Sequence, residues 1–259
     1  MKALKDSIIL VTKKSDEVKS SFERLEKLCR KIIFLPTIKI VPTLNSNDDQ
    51  LIRNKINEYD YLIFTSANAV NVFLDYFRNI IESLDKIKVV AIGKSTAKKC
   101  KEYGINVEII PETFSANGLL NIFRKENIHG KNILIPGSVI SKNELRDELQ
   151  RLGANVDFIP IYDVQINYDY KKELDEIKNN QPDIFAFTSP SSFHNFLKLM
   201  NIAEPSDYFF QKTICAIGNT TEEAITKYGL NVNVVPQNFS IEHLVDALIK
   251  FYELQKNIA

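Results

Sequence analysis

Short apolar runs alternate with longer amphipathic segments along most of the 259-residue chain. The runs are rich in Ile, Val and Phe, a composition typical of strands that are buried on both faces of a parallel sheet. We predict strands at residues 8–11, 61–64, 89–92, 107–110, 133–135, 184–187, 214–217 and 232–235.

The segments between these runs have the spacing of helices that bury one face. One predicted face contains Val18, Phe22, Leu25 and Leu28, and another contains Leu145, Leu149 and Leu152. Helix ends are predicted at Gly104, Gly153 and Gly229, each of which precedes a new apolar run. This alternation of strand and helix predicts the α/β class, with doubly wound parallel sheets that have helices on both faces.

The chain also contains an internal repeat. Residues 92–123 and 217–248 are identical at eleven of 32 positions, including an Ile-Gly pair, a Tyr-Gly pair and a Phe-Ser pair. The sequence FTS occurs at residues 64–66 and again at 187–189, and FLPTIKI at 34–40 resembles FIPIYDV at 158–164. Because several segments recur in the same order at a nearly constant offset, we predict two similar domains that arose by duplication.

The overall composition is that of a globular protein, with 44% hydrophobic residues, 25% charged residues and a formal net charge of zero. A neutral chain gives no support to nucleic-acid binding or to a basic membrane-binding patch. The apolar run at residues 8–12 is too short for a signal-peptide core or a membrane span. We therefore expect a cytoplasmic protein with neither a nucleic-acid nor a membrane partner.

Sequence signatures of cofactor, metal or nucleophile sites are missing. Cys29, Cys100 and Cys215 are far apart and form no CxxC pair, so we expect reduced thiols. The histidines, His129, His194 and His243, lack the spacing of metal ligands. No GxGxxG follows the first strand, and GxxxxGK[ST], GxSxG and HExxH do not occur.

Polar residues collect after the predicted strands, where sheets of this class bind their ligands. The small, polar segments are residues 12–14, 65–68, 93–96, 137–138, 188–191 and 218–221. Each segment also opens a predicted helix, so one alternative is that its hydroxyl groups only cap the helix N-terminus. The other is that these loops surround a cleft with hydroxyl groups and backbone N–H donors, which suits a ligand with many carboxylates or phosphates.

Several longer segments resemble the uroporphyrinogen-III synthase family. They read IFTSANAV, AIGKSTAKKCKEYGINVEIIPETFSANGLL, LRDELQRLGANVDFIPIYDV, FTSPSSFHNFL and ICAIGNTTEEAITKYGLNVNVVPQNFSIEHLVDAL. The resemblance implies two flavodoxin-like domains joined by a two-stranded linker. One domain would contain residues 1–36 and about 166–259, the other about 37–165, with linkers near 36–42 and 160–167.

The resemblance also implies a reaction. It is the cyclisation of the linear tetrapyrrole hydroxymethylbilane to uroporphyrinogen III in haem biosynthesis, with inversion of ring D and loss of water. No cofactor or metal is implied, and we expect a monomer. Tyr162 matches the tyrosine that the family places at the cleft, where a phenol that donates a hydrogen bond would help the substrate hydroxyl to leave. The alternative is a linker tyrosine that packs between the domains.

The same resemblance implies residues that bind the substrate carboxylates. Thr220 and Thr221 match paired threonines of the family. Comparable positions are filled by Thr65, Ser66, Thr96, Ser189 and Ser191, for which helix capping is an equal alternative. Lys13 is a further candidate, but it stands where many members have an arginine.

A second departure from the family pattern is Gly137, which also stands where many members have an arginine. Lysine cannot form the bidentate carboxylate pair that arginine forms. We therefore expect carboxylate binding either to shift to Lys14, Lys94, Lys142 or backbone groups, or to be weaker. Two other functions stay open, since a fold does not determine a function: a two-domain protein that binds an anionic ligand, and a regulatory relative without catalysis.

Overall fold

The computed structural model of the protein describes residues 2–256 and divides into two compact units. Unit 1 comprises Met1–Lys39 and Ile166–Ala259, and unit 2 comprises Ile40–Gln165. The domain limits expected from the sequence, 36/37 and 165/166, stay a prediction, because compactness alone does not establish independent folding.

The strands are β1 (Ile8–Val11), β2 (Lys31–Phe34), β3 (Ile38–Pro42), β4 (Tyr61–Phe64), β5 (Lys88–Ala91), β6 (Asn132–Ser138), β7 (Asn155–Ile166), β8 (Ile184–Phe187) and β9 (Thr213–Ala216). The α-helices are α1 (Ser15–Glu26), α2 (Ser46–Lys55), α3 (Ala67–Tyr76), α4 (Lys94–Glu102), α5 (Ala116–Phe123), α6 (Glu144–Arg151), α7 (Lys171–Asn179), α8 (Pro190–Leu199), α9 (Pro205–Tyr208), α10 (Asn219–Thr226) and α11 (Ile241–Lys256). Short 3-10 helices occupy Leu4–Asp6, Ile56–Glu58 and Arg78–Lys86.

Apart from β3, which has no counterpart in unit 1, the two sheets share one spatial order of strands but not one order along the chain. The unit 1 sheet has the order β2-β1-β8-β9, and the unit 2 sheet has the order β3-β7-β6-β4-β5. The repeats in the sequence match β6 with β1, β7 with β2, β4 with β8, and β5 with β9. In unit 1 the β1–β2 pair comes first along the chain, whereas its counterpart in unit 2 comes last. The two units are therefore circular permutations of each other, because each unit combines the first half of one sequence copy with the second half of the other.

The predicted α/β class with parallel sheets is confirmed by the parallel pairing within both units. Two predicted strands were wrong. Residues 107–110 and 232–235 form only single bridges, from Ile109 to Val90 and from Val234 to Cys215. Pro111 and Pro236 follow these segments directly, and proline has no N–H group with which to continue a ladder.

The predicted helix ends are confirmed, because α4, α6 and α10 each end two or three residues before the predicted glycine. These glycines have the left-handed backbone conformation that glycine tolerates. Gly104, Gly153 and Gly229 have φ values of +77°, +88° and +72°. Leu28 is an exception, since α1 ends at Glu26 and the Leu28 side chain is exposed. Within residues 2–256, no helix has both the length and the apolar character needed to cross a bilayer.

Candidate active site

Equivalent serines cap the helices that follow the central strands β4 and β8. Ser66 Oγ accepts a hydrogen bond from the backbone N–H of Ala69 at 3.1 Å at the start of α3. Ser189 Oγ accepts one from the backbone N–H of Ser192 at 3.0 Å at the start of α8. Helix capping, the alternative considered from the sequence, is therefore a role that both serines have.

Tyr162 is brought into contact with one of these caps. It lies in β7, and its hydroxyl oxygen is 3.0 Å from Ser66 Oγ, with either oxygen able to donate the hydrogen. The Tyr162 side chain is only 5% exposed and packs with the apolar core of unit 2. The phenol and the serine thus form a short hydroxyl chain that ends at the α3 N-terminus, at the carboxyl edge of the sheet.

A cavity of about 320 Å³ opens at the same edge of unit 2. Its polar lining comes from Thr65, Ser141, Lys142, Glu144 and Arg146, and apolar side chains that include Phe158 form the rest of its wall. The structure therefore brings the predicted residues Thr65 and Lys142 to one cavity. Sequence reasoning missed Arg146, although its spacing of four residues from Lys142 at the start of a helix was a signal that could have found it.

Acidic neighbours partly compensate the two cations of this cavity. Arg146 Nε donates to Asp147 Oδ1 at 2.9 Å, and Lys142 Nζ lies 3.7 Å from Glu144 Oε1. The Lys142–Glu144 pair is exposed and the Arg146–Asp147 pair is partly exposed. Ion pairs that are open to water are weak and can be exchanged for a ligand carboxylate. The cavity can therefore bind an anion at a modest cost in lost ion pairing.

The missing arginine at position 137 has a steric explanation in this chain. A Cβ atom on Gly137 would lie 2.6 Å from Cε2 of Phe158, which is closer than two carbon atoms can approach. Phe158 also lines the cavity. An aromatic ring thus occupies the space into which a side chain at position 137 would begin to extend.

The paired threonines of unit 1 differ in accessibility. Helix α10 begins after Gly218, which provides no side-chain cap. Thr220 is exposed, whereas Thr221 is 1% exposed and its backbone N–H donates to Gly218 O at 3.0 Å. Thr96, the counterpart of Thr221 in the repeat, is also buried. Of these threonines, the structure leaves Thr220 with an accessible side chain.

The polar residues at the end of β1 form a network within unit 1. Thr12 is buried, and its Oγ1 lies 3.1 Å from Ala186 O and 3.0 Å from Ser192 Oγ. The backbone N–H of Thr188 donates to Thr12 Oγ1 at 3.2 Å. This network stabilises the pairing of β1 with β8.

Two further candidates of unit 1 lie near this network in the sequence. Lys13 directly follows Thr12. Ser191 is exposed, and its Oγ lies 3.0 Å from Ser189 Oγ.

The cysteines have the character of buried thiols. All three are free, and burial raises the pKa of Cys29 and of Cys100 to about 11. Burial also raises the pKa of Cys215. None is therefore a thiolate near neutral pH. In the part of the chain that the structure describes, no group of three or more His, Cys, Asp and Glu side chains could hold a metal ion.

Comparison with known proteins identifies related sequences over most of the chain. Residues 20–246 match the family model of uroporphyrinogen-III synthase HemD. A uroporphyrinogen-III synthase from Chlorobaculum parvum is 26% identical over 89% of this chain and 93% of its own length. The porphyrin biosynthesis protein HemD of Ruminiclostridium josui is 27% identical over 93% of this chain. The chain spans about half of that relative, 48% of its length.

Solved structures show the same fold at low sequence identity. A uroporphyrinogen-III synthetase from Helicobacter pylori superposes with a TM-score of 0.63 at 18% identity, covering 95% of this chain and 99% of that one. A mutant uroporphyrinogen III synthase from the extremely thermophilic bacterium Thermus thermophilus gives a TM-score of 0.61 at 13% identity, with 96% and 99% coverage. On the match of the family model across most of its length, the chain belongs to the uroporphyrinogen-III synthase family.

Proposed function

We propose that this chain is a cyclising hydro-lyase that converts hydroxymethylbilane to uroporphyrinogen III and water. Membership of the family and the names of the relatives support uroporphyrinogen-III synthase activity, a lyase reaction of porphyrin and haem biosynthesis. The observation that supports a specific location for the reaction is the 3.0 Å contact between the hydroxyl groups of Tyr162 and Ser66. This contact lies beside Thr65, which lines the cationic cavity of unit 2.

In the proposed reaction, a proton is donated to the terminal hydroxyl of the substrate, and the C–O bond breaks to release water. The azafulvene cation that results is attacked by the substituted carbon of the last ring, which gives a spiro intermediate. Fragmentation and closure in the inverted orientation then release one proton. One proton is consumed and one is released, and the net change is the loss of water, so the reaction needs no external oxidant or reductant.

Tyr162 and Ser66 are assigned to the departure of the hydroxyl. The Tyr162 ring is buried, whereas Ser66 is partly accessible and shares a hydrogen bond with the phenol. Because either oxygen can donate in that bond, a proton can pass along the pair to a hydroxyl that contacts Ser66. The fixed cap geometry of Ser66 holds this donor in place on the α3 N-terminus.

Each unit contains groups that could bind carboxylates of the substrate. In unit 2, Lys142 and Arg146 supply positive charge, and Thr65 supplies a hydroxyl group at the same cavity. In unit 1, Thr220 and the uncapped N-terminus of α10 supply donors. The remaining candidates for substrate contact are Ser189, Ser191 and Lys13. For the buried Thr96 and Thr221, the proposed role is to shape the helix start rather than to contact the ligand.

A coupled assay with freshly prepared hydroxymethylbilane tests the proposal. Hydroxymethylbilane closes spontaneously to the type I isomer, so chromatographic separation of the isomers distinguishes catalysis from the background reaction. Type III product in excess, proportional to protein concentration, is the expected result. Tight binding of the product with type I as the sole isomer would contradict catalysis and support the binding-protein alternative.

A further inference from the structure

Each unit presents an exposed phenylalanine at the same position of the sequence repeat. Phe114 is 52% exposed in unit 2, and Phe239 is 60% exposed in unit 1. Many other phenylalanines in the described part of the chain are buried in the two cores. Exposure of a phenyl ring to water is unfavourable, so its occurrence in both copies suggests a role outside the apolar core.

Each phenylalanine lies beside the glycine that precedes a helix of its own unit, Gly93 before α4 and Gly218 before α10. A Cβ atom on Gly218 would lie 3.0 Å from Cδ1 and Cγ of Phe239, so this ring covers the turn before α10. A Cβ atom on Gly93, where φ is +108°, would lie 3.7 Å from the Cβ of Phe114, beside the turn before α4. The two glycines belong to the Ile-Gly pairs of the sequence repeat. Their contact with the phenylalanines explains why the Phe-Ser pairs are repeated together with the Ile-Gly pairs.

The surroundings of the rings suit a flat, anionic ligand. Neither α4 nor α10 has a side-chain cap at its glycine, so the backbone donors at these helix starts lie next to the rings. Lys94 Nζ lies 5.7 Å from the centroid of the Phe114 ring, within cation–π range. The counterpart of Lys94 in unit 1 is Asn219, which is polar but uncharged.

We propose that Phe114 and Phe239 are positioning residues that bind pyrrole rings of the linear tetrapyrrole. This inference rests on the proposed function. Pyrrole rings are electron-rich and flat, and they gain both apolar burial and edge or face contacts with a phenyl ring. The carboxylates on the same pyrroles then reach the neighbouring helix starts and Lys94. A pyrrole ring that is bound in this way keeps its acids beside the helix start of the same unit, which restricts the rotation of a flexible substrate before closure.

The absence of tryptophan from the chain allows a direct test of contact. Phe114→Trp and Phe239→Trp each introduce a single tryptophan, whose emission should be quenched and shifted when uroporphyrinogen III is added. Phe210→Trp is the matched control, since Phe210 is 70% exposed but lies at the amino end of β9, away from the helix starts. Saturable quenching at both positions with little at 210 is expected. Equal responses at all three positions would overturn the proposal.

Kinetics test the positioning role. We expect Phe114→Ala and Phe239→Ala each to raise KM roughly three- to tenfold and to increase the share of type I product, whereas Phe114→Tyr and Phe239→Tyr, which keep the ring, should recover most of both losses. Phe210→Ala should leave both quantities unchanged. Wild-type KM and isomer ratio in the two alanine variants would contradict the ring-binding role alone. Absence of type III product from the wild-type protein would instead contradict the proposed function.

Discussion

The ring of Phe158 lies against Gly137, so closely that a Cβ atom on the glycine would be 2.6 Å from Cε2 of the ring. We expect Gly137→Ala to destabilise unit 2 by about 1–3 kcal/mol, the usual cost of overpacking. In the background of Phe158→Ala, the same glycine substitution should cost much less, because the ring is gone. Denaturant unfolding of the four proteins in a double-mutant cycle measures this coupling, and independent, additive effects would refute the steric explanation.

Loss of the Tyr162 hydroxyl should reduce turnover more than binding. We expect Tyr162→Phe to lower kcat for type III product by about 100-fold or more, the usual contribution of a general acid, with a small change in KM. The measurement is the coupled isomer assay over a range of substrate concentrations. Unchanged kcat would remove Tyr162 from the chemistry and leave it as a core residue.

Ser66 is expected to combine a structural and a catalytic effect. Ser66→Ala should lower the free energy of unfolding by about 0.5–2 kcal/mol through loss of the α3 cap, and should also lower kcat. Asn45→Ala is the matched control, because Asn45 caps α2 in the same unit through the N–H groups of Asn47 and Asp48. It should lose similar stability without losing turnover. A parallel loss of kcat in both variants would mean that destabilisation alone explains the Ser66 effect.

The sequence predicted the architecture better than the site, for physical reasons. Strands such as residues 61–64 and 184–187 are recognisable because burial on both faces requires a continuous apolar run. The edge strand β2 was missed because it begins with the exposed Lys31 and, of its four residues, only Ile33 is buried. Residues 107–110 have an apolar pattern but lack a ladder, which depends on pairing with a distant strand.

The site could be predicted only as far as local chemistry determines it. Helix starts are local, so Ser66 and Ser189 were found with capping as an alternative role. The contact between Tyr162 and Ser66 spans 96 residues and depends on the neighbouring positions of β6, β4 and β7. Similarly, accessibility separates Thr220 from Thr221, and it follows from how α10 packs rather than from the identical residue type.

The cationic cavity predicts a charge-dependent affinity. We expect Arg146→Ala to raise KM by roughly fivefold or more, since a charge-assisted hydrogen bond to a carboxylate would be lost. The KM of the variant should also depend less steeply on salt concentration than that of the wild-type protein. Arg151→Ala is the control, because Arg151 is an exposed arginine at the other end of α6. Equal effects of the two substitutions would indicate general electrostatic attraction instead of a binding position.

The hydroxyl of Tyr208 makes stability depend on alkaline pH. Among the described residues, it is a buried side-chain oxygen without a hydrogen-bond partner. Burial, only partly offset by the nearby Gln181 side chain, raises the pKa of Tyr208 to about 12. The ordinary tyrosine pKa is near 10. A raised pKa in the folded state means that folding favours the neutral phenol. The contribution of this phenol to the free energy of unfolding is therefore complete below about pH 10 and is lost as the pH rises from about 10 to 12.

Removal of that oxygen should therefore have an effect that grows with pH. Tyr208→Phe, which keeps the ring, should be neutral or slightly stabilising at about pH 7, because an unpaired buried hydroxyl is lost. At about pH 11 it should be clearly more stable than the wild-type protein, since the wild-type chain then gains free energy by ionising the phenol in its unfolded state. Denaturant unfolding of both proteins at the two pH values measures the difference. An equal gap at both would show that burial does not hold the phenol in its neutral form.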